Sequence, residues 1–432
     1  MDSANPCEVI AQSTMSRLQI VVVILGIGLT ALDGFDVLAI SFAAPGIAAN
    51  WGIDRAALGI VLSMELVGMA IGSVLLGNLA DRIGRKPIIV ACLVLMASGM
   101  LLAAAASNVI NLSLVRLFTG LGIGGMLAAT NAMVAEFSNK QWRNMVVAWM
   151  AAGYPLGAIF GGSVVSVLLV YFEWRAVFLF GALLTLTFLP LVWFFLPESI
   201  EYLSHRRPPN ALARINLVFK KMGRGVIHSL PEAVVQHKVG IRELLSPELR
   251  RITLVLTAAY FTHIMTFYFI LKWIPKIVVD MGYAPATAGG VLVWANIGGV
   301  IGSLLLSFLT HKFDIRHLVL GTLVFAAVMV VVFGMVPGNL QELTFYAALA
   351  GFFTNAAVVG LYAIFAQSFP ARVRAGGTGL VIGAGRGGAA LGPIVAGFLF
   401  AAGHSLGTVA LLMALGSLLA AGALMLLPRS TG

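Results

Sequence analysis

With 432 residues, 60% of them hydrophobic and only 10% charged, and a mean hydropathy of +0.99, the chain carries too little charge for a soluble globular protein, where roughly a quarter of residues are charged. The formal charge of +10 does not point to nucleic acid, because the basic residues sit in short connections between apolar segments. Two cysteines, Cys7 and Cys92, exclude a disulfide framework, and no metal site or other cofactor is expected.

A polar tail, 1–17, opens the chain. The apolar stretch after it is too long for a cleavable signal and retains two aspartates. Apolar segments bounded by charged or Gly/Pro punctuation then fall at 18–45, 57–80, 88–107, 109–136, 143–170 and 175–196. A polar stretch, 197–250, separates them from six more at 251–279, 286–309, 317–336, 340–369, 375–402 and 405–427, and a short tail, 428–432, closes the chain. Each is long enough to span a bilayer, and in lipid only a helix or a closed barrel satisfies its own backbone. The predicted fold is therefore an all-α membrane protein of twelve transmembrane helices. Its halves are 18–196 and 251–427, joined by a central loop at 197–250.

If the N-terminus is cytoplasmic, all of the 27 basic residues except Arg55, Arg175, Lys276, Arg116, Lys272 and Arg386 fall in the tails and the even-numbered connections. The positive-inside rule then puts both termini in the cytoplasm. The central stretch holds Arg206, Arg207, Arg214, Lys220, Lys221, Arg224, Lys238, Arg242, Arg250 and Arg251. This is read as a solvated linker between two bundles in preference to an anionic-lipid or partner site, since topology alone requires juxtamembrane basic charge.

A shift of 230 positions lays Gly68-Met-Ala-Ile-Gly72-Ser73 over Gly298-Gly-Val-Ile-Gly302-Ser303, and pairs Gly52 with Gly282 and Gly59 with Gly289. Two parallel six-helix repeats with a site at mid-membrane between them are a recurrent transporter plan. Small residues at helix contacts are the simpler source of the same repeat.

Asp33-Gly34-Phe35-Asp36 lies within the first segment. A carboxylate at the centre of a spanning helix costs about 2.5–3.5 kcal/mol on insertion scales, so both are expected to face protein or water. Between segments two and three stands Gly77-Asn-Leu-Ala-Asp81-Arg82-Ile-Gly84-Arg85-Lys86-Pro87. Gly77 suits close packing, Gly84 a tight turn, and Asp81 a helix N-terminus. Arg85 and Lys86 are within reach of an acid such as Glu136. The preferred reading is a gate latch; the plainer one is a topology marker. The shifted copy, Ser307-Phe-Leu-Thr-His311-Lys312-Phe-Asp314-Ile-Arg316, has lost the acid, so a full second latch is not expected.

That loop resembles the cytoplasmic signature of the major facilitator superfamily, G-x-L-x-D-R-x-G-R-(R/K). Asp33-Gly-Phe-Asp36 resembles the D-G-x-D of its aromatic acid:proton symporter family. Arg116-Leu-Phe-Thr119-Gly120-Leu-Gly122-Ile-Gly124-Gly125 resembles that family's fourth helix, and Thr378 to Pro393, containing Arg386, its eleventh. Pro197-Glu198-Ser199 matches a motif shared more widely. One departure is Ala128 and its neighbours, where many members carry proline.

The resemblance implies a proton-coupled importer of a small organic acid, a monocyclic aromatic carboxylate such as a hydroxybenzoate, working by alternating access in a bacterial inner membrane. It implies no enzyme activity and no nucleic-acid partner; the carrier is expected to act as a monomer. A carrier for a shikimate-, muconate- or nicotinate-like acid, an exporter, and a membrane nutrient sensor remain the alternatives.

Arg386 lies about 16 Å into its segment, near the midplane, where its fork suits a carboxylate. It is expected to hold Asp33 or Asp36 in one state and the substrate in another. A buried carboxylate pair resists double ionisation, so Asp33 or Asp36, unranked, is expected to carry the proton. Both are also candidates for substrate contact, with Arg116 and Tyr154. Glu65 and Arg116 are at similar depth, and a structural ion pair is the preferred reading. Lys272, near an outer helix end, is expected to snorkel. Pro155 should kink its helix. His263, the shift partner of Asp33, is a weak proton candidate, more readily a structural group. Asn296 and Tyr362, with Tyr260, Phe267, Tyr268, Trp294 and Asn355, are weak cavity candidates. No phosphate loop, nucleophile elbow or zinc spacing supports a pump or a hydrolase.

Overall fold

Sixteen helices and no strand are found among the described residues, 5–230, 240–336, 339–370 and 372–427, of this computed structural model. Twelve of them are long and apolar enough to cross a membrane. The first six are α2 (Arg17–Trp51), α3 (Arg55–Ile83), α4 (Arg85–Ala104), α5 (Val109–Phe137), α6 (Arg143–Tyr171) and α7 (Arg175–Phe195). The second six are α11 (Arg250–Asp280), α12 (Pro285–Leu309), α13 (Ile315–Met335), α14 (Leu340–Ser368), α15 (Arg374–Ala401) and α16 (Leu406–Met425). A short α1 (Pro6–Gln12) precedes them. The stretch between the halves, expected as a linker, forms α8 (Ile200–Arg206), α9 (Ala211–Lys221) and α10 (Ile241–Leu244). Of the basic residues read there, Lys238 lies outside the described residues, as does the tail at 428–432.

The sequence places the end of the first segment at Pro45; α2 instead runs to Trp51 and closes on Gly52 at φ 60°. Proline removes one ladder donor. Continuing the helix is nevertheless the only way to satisfy the following backbone in an apolar surrounding. At the other end Ser16 and Gln19 form a reciprocal capping box, with Ser16 N–H donating to Gln19 Oε1 at 2.9 Å. Pro275 sits inside α11 at the position matching Pro45 under the 230-residue shift.

The packing repeats with the sequence. In the first half α3 packs on α5, α2 on α6, α4 on α5 and α4 on α7; in the second, α12 packs on α14, α11 on α15, α13 on α14 and α13 on α16. A Cβ on Gly68 or Gly72 would collide with the carbonyls of Leu117 or Leu121 on α5. One on Gly298 or Gly302 would collide with those of Ala348 or Phe352 on α14. The repeated glycines are thus the close contacts that build each half.

The halves meet through α3 with α15, α6 with α12, and α2 with α11. These contacts cluster at one end, hereafter the far end, opposite the end that carries α1, the last turn of α16 and the basic connections. There Gly289 approaches Phe42 and Ser166, Gly162 approaches Val293, and Gly59 lies against Pro393 and Gly397. Toward the basic end, Cβ atoms on Gly379 and Gly383 of α15 would meet nothing within 4 Å. The cleft between the halves is closed at the far end and open toward the basic end.

Candidate functional site

Asp33 and Asp36 lie on α2, 1% and 0% exposed, and none of their four carboxylate oxygens has a hydrogen-bond partner. Burying an unpaired polar group costs free energy, and a bare carboxylate costs the most. The glycine between them has a steric reason: a Cβ on Gly34 would run into the Tyr154 carbonyl, so α6 crosses α2 beside the acid pair. Pro155 lies inside a continuous α6.

Arg116 of α5 reaches the same turn of α2. Its Nη2 donates to the Asp36 carbonyl at 2.9 Å, its Nη1 lies 3.4 Å from Met100 Sδ, and its guanidinium stands 5.5 Å from the centre of the Phe178 ring. Arg116 also forms an ion pair with Glu65 of α3, and both side chains are fully buried.

Lys272 overturns its expectation. Instead of snorkelling it is 0% exposed, pairs with Glu65 at 3.6 Å and donates to the Val37 carbonyl. The physical reason is the face on which it stands: α11 turns this residue toward α2 and α3, and the far end is closed above it. A snorkelling side chain needs water within reach of its stem.

Arg386 projects from α15, half-buried, with Met69 Sδ of α3 at 3.9 Å from Nη1. It does not pair with Asp33 or Asp36, contrary to the expected internal ion pair, and no carboxylate among the described residues comes within 4 Å of it. Tyr260 of α11 lies against α15 next to it, where a Cβ on Gly385 would run into the Tyr260 ring. The hydroxyls of Tyr260 and Tyr362 are hydrogen-bonded at 2.9 Å, and the Tyr260 ring also meets Phe365 edge-on. Arg386, without a carboxylate partner, and the Tyr260–Tyr362 pair beside α15 are what remain at the middle of the cleft.

The weaker candidates separate. His263 is fully buried with both ring nitrogens engaged, Nε2 with the Thr354 carbonyl at 2.9 Å and Nδ1 with Ser417 Oγ at 3.0 Å. A carbonyl only accepts, so Nε2 carries the hydrogen and the ring joins α11, α14 and α16 as structure. Asn296 donates to Leu292 of its own helix, and Asn355 to Gly299 and Ser303, inside the α12–α14 contact. Trp294 is exposed.

At the basic end, Arg85 donates from Nε to Glu136 Oε1 at 2.8 Å and pairs with Asp81 at 2.7 Å. Ser199 donates to the other oxygen of Glu136. The residue that caps α4 is Glu198, which accepts from Arg85 N–H at 2.9 Å and Lys86 N–H at 3.3 Å; Asp81, expected there, is occupied by Arg85. Lys86 Nζ reaches the Trp193 carbonyl instead of Glu136, and Arg82 is exposed. Gly77 has only Ala128 near its Cβ position, at 3.4 Å. This network lies wholly within the first half and segment 197–206. Glu198 had a legible signal, the acid of the Pro-Glu-Ser motif that follows α7.

A family profile described as Major Facilitator Superfamily matches residues 26–337 and, again, 256–432. A gallate transporter of Pseudomonas putida is 30% identical over 91% of this chain and 88% of its own length. A 4-hydroxybenzoate transporter of Pseudomonas aeruginosa is 31% identical over 95% and 93%, and a 3-(3-hydroxy-phenyl)propionate transporter of Escherichia coli K12 is 27% identical over 93% and 91%. The crystal structure of a D-xylose–proton symporter superposes with a TM-score of 0.69 at 16% identity, over 92% of this chain and 97% of that one, a likeness of fold.

Proposed function

We propose a function from a fixed premise: the chain belongs to the Major Facilitator Superfamily and, within it, to the aromatic acid:proton symporter family. It is a membrane transporter and not an enzyme. On our reading it imports a monocyclic aromatic carboxylate, of the hydroxybenzoate type, together with protons. The basic end faces the cytoplasm of a bacterial inner membrane, so the conformation described above is inward-open.

One observation carries the reading. Arg386 stands in the cleft without a carboxylate partner, near the hydrogen-bonded Tyr260 and Tyr362, while two carboxylates without hydrogen bonds lie buried on α2. The guanidinium fork supplies a bidentate seat for a substrate carboxylate. The tyrosines supply ring faces and hydroxyls for an aromatic body. Arg116 takes no part in that seat, because its guanidinium is held by Glu65 and the Asp36 carbonyl.

The cycle then follows from charge. Facing outward, the carrier takes an anion at Arg386 and a proton at Asp33 or Asp36. With both charges neutralised, the halves rock about the cleft, the far end closes, and cargo and proton leave at the basic end. On the return, the basic ends of α3 and α15 approach one another, and the network around Asp81 and Arg85 is the surface that meets the second half.

The test is uptake into proteoliposomes of a panel of labelled aromatic and aliphatic acids, with and without an imposed pH gradient. Gradient-driven accumulation of hydroxybenzoates above aliphatic acids is expected. Accumulation indifferent to the gradient would remove the proton; preference for an aliphatic acid would remove the aromatic substrate.

A further inference from the structure

The antiparallel helices α3 and α11 carry two ion pairs between the halves. At the mouth of the far end, Arg55 of α3 meets Asp280 of α11 at 3.0 Å, with side chains 43% and 30% exposed; Lys276 also pairs with Asp280. Deeper lies the Glu65–Lys272 pair, at 3.6 Å and fully buried. Ten residues separate Arg55 from Glu65 and eight separate Lys272 from Asp280, about 15 and 12 Å of helix. The signs reverse between rungs: the first half gives a cation above and an anion below. Glu65 also holds Arg116, and Arg116 and Lys272 donate to consecutive carbonyls of α2, those of Asp36 and Val37.

We propose that Glu65 and Lys272 form the deep lock of the far end, with Arg55 and Asp280 as its screened upper rung, and that Glu65 ties this lock to the acid-bearing turn of α2 through Arg116. This rests on the alternating-access reading above. To open the far end, α3 must part from α11 and water must reach both buried charges. In the closed state the desolvation penalty offsets much of the Coulomb attraction. The pair is therefore specific to the closed state without being too strong to break. The exposed rung, screened by salt, contributes less. Removing Glu65 leaves Lys272 and Arg116 buried without their anion, and removing Lys272 takes away the ion pair Glu65 makes across the halves, leaving it paired to Arg116 within the first half; each change favours the open state.

The reporter is Val293→Cys, because Val293 is buried against Gly162 across the two halves near the far end. Of the native cysteines, Cys7 lies at the basic end and Cys92 is buried. The full-length chain in sealed proteoliposomes is treated from the far side with a membrane-impermeant maleimide. Lys272→Met should raise the labelling rate at least about tenfold, a shift of about 1.4 kcal/mol in the closed–open equilibrium. Lys272→Arg should keep it near the parent rate. Glu65→Gln, which strands two cations, should raise it further, and the double variant with Lys272→Met should fall below Glu65→Gln alone, because removing the second charge relieves the first. Labelling of Lys272→Met at the parent rate overturns the lock, as does simple additivity in the double variant. Should Glu65→Gln fail to fold, the contrast between Lys272→Met and Lys272→Arg decides alone. The readout needs no substrate. Failure of aromatic-acid uptake in the parent sinks the substrate reading and leaves the lock standing, whereas unchanged labelling alongside intact uptake sinks the lock alone.

Discussion

A guanidinium stays charged wherever it is buried, so Arg386 needs an anion or a polar surround in every state of the carrier. On the proposed reading that anion is the carboxylate of the cargo. Arg386→Lys keeps the charge and loses the fork. With a charge-assisted hydrogen bond contributing about 1.5–3 kcal/mol, carboxylate affinity should fall by roughly ten- to a hundredfold, read by scintillation proximity or calorimetry. Unchanged affinity would move the anion seat elsewhere. The aspartates call for a different readout, because they are assigned to coupling. Asp33→Asn or Asp36→Asn should reduce gradient-driven accumulation to the gradient-independent level while exchange of labelled for unlabelled substrate persists. Full accumulation in both single variants and the double would remove the proton site. These three residues were legible in the sequence because a charge in an apolar run has few explanations. Lys272 was not, since position along a helix says nothing about whether a side chain turns to lipid or to a closed interface. The role of Arg116 was legible only as a pair with Glu65; its bond to the α2 carbonyl is a tertiary fact.

At the scale of elements, helix number and placement follow from the lengths of apolar runs, and the structure departs mainly at the edges. One departure is α2 continuing past Pro45, another the short helices within 197–250. The connection between α3 and α4 shows what a motif leaves unsaid. Its glycine, acid and arginine were readable, yet the cap on α4 comes from Glu198, over a hundred positions away. Gly84 stands at φ +114°, a backbone region that L side chains rarely adopt, and a Cβ there would lie 2.9 Å from Glu198 Cδ. Gly84→Ala therefore combines backbone strain with a clash against the cap. A loss of about 1–3 kcal/mol is expected, measured as a lower melting temperature in detergent. The Glu198→Gln variant, which weakens the cap without the strain, should lose less. Equal melting of Gly84→Ala and the parent would mean that the loop adapts and the turn does not require glycine.

For the whole molecule, the far end is closed as much by backbone fit as by charge. Gly59 of α3 lies so near α15 that a Cβ would stand 2.6 Å from the Pro393 carbonyl oxygen and 3.1 Å from Gly397 Cα. Neither is the tip of a flexible side chain, so the clash is relieved only by moving one half against the other. Overpacking of this kind costs about 1–3 kcal/mol. Applied to the far-closed state alone, it moves the equilibrium toward the far-open state by on the order of ten- to a hundredfold. Gly59→Val should accordingly lengthen the distance between spin labels at the exposed far-end positions Phe172 of the first half and His404 of the second. The same labels on Gly379→Val, where a Cβ meets open space, should report the parent distance. Transport by Gly59→Val should slow at the step that closes the far end, while substrate affinity measured from that side rises, since binding there no longer competes with closure. If the distance in Gly59→Val stays at the parent value, the closure between α3 and α15 is soft, and the ion pairs between α3 and α11 alone hold the far end shut.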